Sequence, residues 1–465
     1  MIEIIPSAKR LIRSLRDVGY EFVDAVADIV DNSIEAQANH ISINIQFEGE
    51  DSYVVILDNG FGMSQRDMEE ALRFGSQRSY NTDNDLGRFG LGLKTASLSQ
   101  CESLTVSSRR SEQRRRICSL RWDLEHISKT NRWEVLQIHN AELKDEVIKH
   151  LENTVGTAIT WERLGRLMGY KYPSGEKARR HAELMAESLK QHLGLTFHHF
   201  LSGEIPHKRI SIYVNGEKVA PWDPYSRGEL HTQKLELISI PIEHRSSVFD
   251  VTLQPYILPP QAQYSSLKAH LHASGPLKWN RQQGFYIYRA GRIIQAGGWS
   301  GLRTSDEHTK LVRIAFHIPP QLDELFQVNV AKKYLSIPRE LRSALVKEIA
   351  PIIQHGQETY RGKQATENKA LATGQSESDN RPRDAIEHKP ATIEIQKVHS
   401  PLETPKFLET RLIGRLAQRV GLKNQEQKLA QAIGLIVESC AEGDRAFLLN
   451  ILERYAESET SRATP

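Results

Sequence analysis

Between residues 20 and 38, Phe22, Val23, Val26, Ile29, Val30 and Ile34 recur at three- and four-residue intervals, which predicts a helix with one buried face. Ile41, Ile43, Ile45 and Phe47 then alternate with polar residues, and 53–57 is a short apolar run, so two strands follow. Residues 104–108 and 158–161 read as further strands, with a polar, arginine-rich turn over 109–116 between them. The interleaved periods of 3.6 and 2 define a mixed α/β unit from about 14 to 162.

A helical pattern over 175–193 leads into a second set of elements. Residues 209–214 alternate ahead of an Asn215-Gly216 hairpin signal, 248–253 and 285–288 read as strands, and 339–353 reads as a closing helix. From 357 to 400 Gln, Glu, Ser, Asn, Lys and Pro dominate and large apolar residues are scarce, which cannot offset the entropy of ordering and predicts a disordered linker. Beyond it, Leu408, Leu412, Ile413, Leu416, Val420, Leu429, Ile433, Ile436, Val437, Phe447, Leu448, Ile451 and Leu452 outline three short amphipathic helices, a surface suited to a protein partner. The expected division is 1–170, 171–356, a linker over 357–400 and a helical domain over 401–465.

Composition narrows the class. Sixty-one Lys and Arg against 58 Asp and Glu leave a net charge of +3, so any nucleic-acid contact must come from a local patch. Three cysteines without a CxxC pair exclude a disulfide framework and a cysteine-rich zinc module. The N-terminus lacks the apolar core of a signal peptide and the run over 432–437 is far too short to span a bilayer, so a cytoplasmic protein without membrane segments is expected.

Three patches carry chemistry. In the first, Asp28 and Asn32 stand four apart on one face of the predicted helix, where a carboxylate and a carboxamide can orient a water and ligate magnesium. The second, Asp58-Asn59-Gly60-Phe61-Gly62-Met63, ends a strand; Asp58 can accept from an exocyclic amine while the glycines turn the backbone beneath a flat base. The third, Gly87-Arg88-Phe89-Gly90-Leu91-Gly92-Leu93-Lys94-Thr95, opens an apolar helical run, where glycines let backbone amides approach phosphate oxygens. It is neither a Walker loop, since Lys94 follows Leu93 rather than glycine, nor a good Rossmann turn, since the preceding 76–85 is polar and lid-like. Each patch alone is weak, DNG most often being a plain turn. Their order, with Gly156-Thr157 before a later strand, is what gives them weight.

That order resembles the GHKL ATPase superfamily of gyrase, the large heat-shock chaperone, histidine kinases and MutL, and is most similar to its MORC and MutL-like branch through ADIVDNSIEA and LGRFGLGLKTAS. The resemblance covers roughly 14–162. It implies an α/β fold of the α+β sandwich kind: a Bergerat-type ATP-binding domain, a transducer-like α/β domain and a small helical C-terminal appendage. It implies ATP and Mg2+ as cofactors, with Asn32 holding the metal, Asp58 reading adenine, Gly60, Gly62 and Met63 lining the base pocket, Gly87 to Thr95 cradling the phosphates, Thr157 completing the adenine pocket and 76–87 closing as a lid. The family's water-activating base is usually Glu, whereas the matching position is Asp28, one methylene shorter; a general base must come within about 2.6 to 3.2 Å of its proton or act through a water, so turnover should be slow. Asp24 lies two turns from Asn32 and Asp31 points to a different face, which ranks Asp28 first.

The segment GFYIYRAGRIIQAGGWSGL, with LVRIAFHIP and the stretch through Lys332 and Lys333, is similar to the transducer domain of MutL-type proteins, which implies that one of the two lysines reaches the γ-phosphate and acts in catalysis. His192, His198 and His199 lack carboxylate or cysteine partners at a metal spacing, so no metal is expected there. Arg109, Arg110, Arg114, Arg115 and Arg116 form a patch suited equally to nucleic-acid phosphates and to a charge-solubilised hairpin. The resemblance implies an ATP-operated clamp that hydrolyses ATP slowly, forms a nucleotide-dependent homodimer and handles DNA, since the branch's bacterial members accompany restriction or phage-defence machinery. The alternative is a scaffold or chaperone that uses ATP as a conformational ligand. A histidine kinase and a type II topoisomerase are both disfavoured, for want of a preceding dimerisation helix pair and of a strand-cleaving domain.

Overall fold

Val54 and Ile56 pack into one hydrophobic core while Val55 and Leu57, pointing to the opposite face of the same strand, pack into another. This two-sided burial of a central strand sets the architecture in the computed structural model, which describes residues 6–17, 20–74, 92–110, 116–328 and 335–373. The chain divides into Met1–Ser378 and Asp379–Pro465. All described residues belong to the first unit, so the three expected C-terminal helices lie outside them.

The first sheet contains β1 (His40–Gln46), β2 (Tyr53–Asp58), β3 (Ser103–Arg109), β4 (Cys118–Asp123), β5 (Leu136–Gln137), β6 (Gly156–Glu162), β7 (Ser211–Val214) and β8 (Glu217–Lys218), in the spatial order β5-β4-β3-β6-β2-β1-β7-β8. Helices α1 (Ala8–Arg16), α2 (Phe22–Glu35), α3 (Gln65–Leu72), α4 (Gly92–Gln100), α5 (Leu124–Thr130), α6 (Asp145–Asn153), α7 (Glu176–Thr196) and α8 (His198–Ser202) accompany it. Residues of α1, α2, α4 and α7 bury against one face, and α6 covers the other through Val147 and Leu151.

The strands and helix expected before residue 162 are present. Two details differ. Helix α2 is buried nearly all round rather than on one face, from Phe22 to Asp31 with only Val23 partly open, because α4 and α7 flank it. The strand expected over 209–214 in the second domain instead pairs in parallel with β1, Ile41 opposite Ile212, and so extends the first sheet. Ile212 and Val214 alternate in the same way whichever sheet receives them, so periodicity could not assign the strand. Its Asn215-Gly216 turn has φ of 48° and 80° and joins β7 to β8, the two-residue hairpin that the dipeptide predicts.

The second sheet orders β10 (Ile238–His244), β11 (Ser247–Ile257), β14 (Val312–Ile318), β12 (Gly284–Arg289) and β13 (Arg292–Ala296), with β9 (Gln233–Lys234) on β11. Short helices α9 (Leu267–Ala273) and α10 (Lys278–Gln282) precede β12, and α11 (Arg339–Thr373) buries Leu341, Leu345, Ile349 and Ile352 in this core. Helix α11 continues past 357 to Thr373, where a disordered linker was expected; Tyr360 packs on the second core, and the Ala, Glu, Lys and Gln of the segment are good helix formers. No helix among the described residues is long and apolar enough to cross a membrane.

Candidate functional site

Asp58 is the last residue of β2, on the same face as Val54 and Ile56 and therefore beneath α2. Its Oδ2 accepts from the Ser33 hydroxyl at 3.0 Å, and Oδ1 accepts from the backbone N–H of Gly60 at 2.9 Å and of Thr157 at 3.2 Å. Thr157 stands opposite Asp58 in the β2–β6 ladder, which aims its N–H at the carboxylate. Burial pushes the Asp58 carboxyl above its ordinary range, opposed by these three donors. An ionised carboxylate has about four acceptor positions. Three described donors therefore leave capacity for one more N–H.

The loop after Asp58 is shaped by close backbone approaches. Gly60 sits against Ala36, where a Cβ would come within 2.7 Å of both the Ala36 side chain and its carbonyl. Gly62 has φ +67°, and a Cβ there would come within 2.2 Å of the Arg109 carbonyl. Met63 N–H donates to Ser108 Oγ at 2.8 Å, and that oxygen lies 3.1 Å from Thr157 Oγ1, so the predicted loop and the predicted threonine share one network.

The other end of the site is acidic. Asp24, Asp28 and Asp31, spaced four and three apart, form a buried row along α2. Asp28 is 2% exposed and Asp31 1% exposed, and a single Arg292 Nη1, from β13 of the second sheet, donates to both, at 3.1 Å to Asp28 Oδ1. Asp31 thus shares a face with Asp28, not a separate one as expected; at about 100° per residue, a three-residue step brings two side chains within about 60° of one another. Tyr20 donates its hydroxyl to Asp28 Oδ2 at 3.1 Å and is itself hydrogen-bonded by Thr95. Burial and the Asp28 charge keep the Tyr20 phenol protonated well above its ordinary range. His192 of α7 lies 3.6 Å from Asp24.

The remaining expected residues divide into three groups. Asn32 is exposed, one turn beyond Asp28, and Gly92 opens α4 beside Asp28, a Cβ there falling 3.8 Å from Oδ2. Leu93 packs on the first core, and Lys94 is enclosed, its Nζ donating to the carbonyls of Ala71 at 2.9 Å and Arg73 at 2.8 Å; in this conformation it closes the end of α3 instead of facing a phosphate. Burial lowers the Lys94 pKa to about 8. Gly87, Arg88, Phe89, Gly90, Leu91, the lid over 76–87, Lys332 and Lys333 lie outside the described residues.

The secondary candidates resolve differently. His192 is apart from His198 and His199, whose neighbour is Glu204. The ligand atoms of His198, His199 and Glu204 lie within 4.8 Å of one another, so the histidines do have a carboxylate neighbour, which their spacing in sequence did not show; His198 Nε2 also lies 2.8 Å from the Tyr288 hydroxyl, and both terminal nitrogens of Arg227 donate to Glu204 at 2.8 Å. Of the arginine patch, Arg109 donates to the carbonyls of Leu151 and Glu152, closing α6, and Arg110 pairs with Asp67 at 2.6 Å. Arg114 and Arg115 lie outside the described residues. Sequence reasoning missed Tyr20, Ser33, Ser108 and Arg292. Only Ser33, inside the first motif, carried a local signal.

A helix-borne acid and amide, a strand-end aspartate under a glycine turn and a glycine-opened helix are gathered on one α/β layer. Residues 20–157 match the family described as histidine kinase-, DNA gyrase B-, and HSP90-like ATPase, and the match begins at Tyr20 and ends at Thr157, both of which touch the site. This segment is a GHKL ATP-binding domain. The chain is also similar to MICRORCHIDIA 5 of Arabidopsis thaliana, 32% identical over 91 residues, a match covering 18% of this chain and 13% of that protein.

Proposed function

We propose that the protein is a magnesium-dependent, slow ATPase that works as an ATP-gated dimerising clamp in DNA processing or phage defence. The observation that supports it most is the Asp58 cradle, a buried carboxylate with one acceptor position left inside a segment matched to an ATPase family. In this reading Asp58 accepts the exocyclic amine of adenine, with Gly60, Gly62 and Met63 below the base and Thr157 at its edge. Asn32, exposed beside the site, would hold Mg2+, which would supply positive charge to offset that of the phosphates. Gly87 to Leu91, with the backbone N–H groups rather than the side chains of Gly92 to Thr95 at the N-terminus of α4, receive the phosphates. Asp28 accepts the proton of the attacking water, and Lys332 or Lys333 serves the γ-phosphate.

The second sheet is the transducer of this scheme, and the amphipathic apolar pattern of the sequence beyond residue 401 suits protein partners. DNA handling and defence rest on the resemblance to the MORC branch. A second reading, ATP as a conformational ligand of a scaffold with little hydrolysis, is favoured by one feature: Arg292 already occupies Asp28. Turnover measured with and without DNA, together with the oligomeric state in a non-hydrolysable ATP analogue, separates the two. DNA-stimulated turnover with analogue-driven dimers supports the clamp; assembly without turnover or DNA binding supports the scaffold, and a chain that binds no ATP overturns both.

A further inference from the structure

Arg292 reaches across 264 positions of sequence to Asp28, and its placement is structurally specified. β12 and β13 are joined by Ala290 and Gly291, with φ of 48° and 84°, a two-residue turn that pairs Arg289 with Arg292 at its base. A Cβ at Gly291 would come within 2.8 Å of Ile205, so the hairpin tip is fitted against the segment after α8. Arg289 is anchored in the second sheet by Asp323, through Nε at 2.8 Å to Oδ1. The Arg292 guanidinium lies over the Phe197 ring at 5.8 Å and is 3% exposed.

Arg292 Nη1 pairs with both buried aspartates. Desolvation makes such clusters a poor source of net stability compared with apolar packing, and their best-attested use is to fix one arrangement against another. A polyanion arriving at Gly92, beside Asp28, therefore competes for the same cation.

We infer that Arg292 is a positioning residue for hydrolysis, a latch by which the second sheet occupies Asp28 until nucleotide draws the guanidinium away. The inference rests on the ATPase reading of the site. While Nη1 donates to Oδ1 and Tyr20 to Oδ2, both Asp28 oxygens are engaged and water activation is held back. Release of Arg292 frees one oxygen as acceptor and uncouples the β12–β13 hairpin from α2, so occupancy of the ATP site is reported to the second sheet.

The test is steady-state hydrolysis by the full chain carrying Arg292→Met, with Asp31→Asn added to limit the uncompensated buried charge, against Arg292→Lys. The latch predicts that kcat rises roughly fivefold or more, the scale of a coupling between two sites, with KM little changed, while Arg292→Lys stays at the parent rate. A folded Met/Asn variant with an unchanged or lower kcat overturns the latch. Hydrogen exchange of the unaltered protein supplies an independent arm: amides of 284–296 should exchange faster with a bound non-hydrolysable analogue. Unchanged exchange with the analogue bound overturns the latch alone; a parent chain that binds no analogue overturns the ATP-site reading, and the latch with it.

Discussion

The two buried carboxylates of this site, Asp58 at the end of β2 and Asp28 on α2, are held in opposite ways. Asp58 is held by neutral donors from its own layer, two backbone N–H groups and the Ser33 hydroxyl, all fixed by β2, β6 and α2. Asp28 is held by a cation from the second sheet and by Tyr20 at the entrance of α2. A group satisfied by local backbone keeps its geometry whenever the domain folds. One satisfied by a distant guanidinium changes state when the two sheets shift. On the proposed function, the end that would bind the base is constant and the end that would activate water is conditional.

The strongest way to break this comparison is at the conditional end. Asp28→Asn should retain ATP binding and lose turnover by about a hundredfold or more, because the amide keeps the shape but cannot take a proton. Parent-rate turnover in a quenched single-turnover assay would leave the protein with another base. Asn32→Ala should weaken ATP affinity by about tenfold, in the presence of Mg2+ only, through loss of one metal ligand. Calorimetry with Mg2+ and with EDTA checks the difference.

At the constant end effects should be smaller and mostly structural. Gly62→Ala should lower stability by about 2 kcal/mol or more, since a side chain at φ +67° is strained and its Cβ meets the Arg109 carbonyl, a loss visible in thermal unfolding without nucleotide. Ser33→Ala removes one donor to Asp58 and should weaken ATP binding about fivefold, the worth of about 1 kcal/mol. An equal loss of kcat in this variant would show that the two ends are not separable.

The contrast also explains what the sequence disclosed. Helix α2, strands β1 and β2 and the Asp58 turn were legible because each depends on local spacing and on glycines whose backbone positions exclude a side chain. Arg292 was not, since nothing near residue 292 records a partner 264 positions away. Membership of β7 in the first sheet was hidden for the same reason, and Lys94 was misplaced because a glycine-rich motif shows where a lysine stands but not which way it turns. Asp31 was discounted by treating the helix as having one working face, whereas α2 is enclosed on nearly every side.

The central claim, that the Asp58 cradle binds the adenine of ATP, is tested most directly by calorimetric titration of Mg-ATP into the parent and Asp58→Asn proteins, alongside their melting temperatures without nucleotide. Because burial raises the Asp58 pKa, this group's contribution to stability is fully present below its unfolded value and is lost as pH rises through the raised folded value, so at neutral pH the ionised form is a cost. The account predicts that Asp58→Asn melts no lower than the parent at pH 7 yet binds ATP at least about tenfold more weakly, an amide donor now facing the base amine. Equal ATP affinity in the two folded proteins would contradict it.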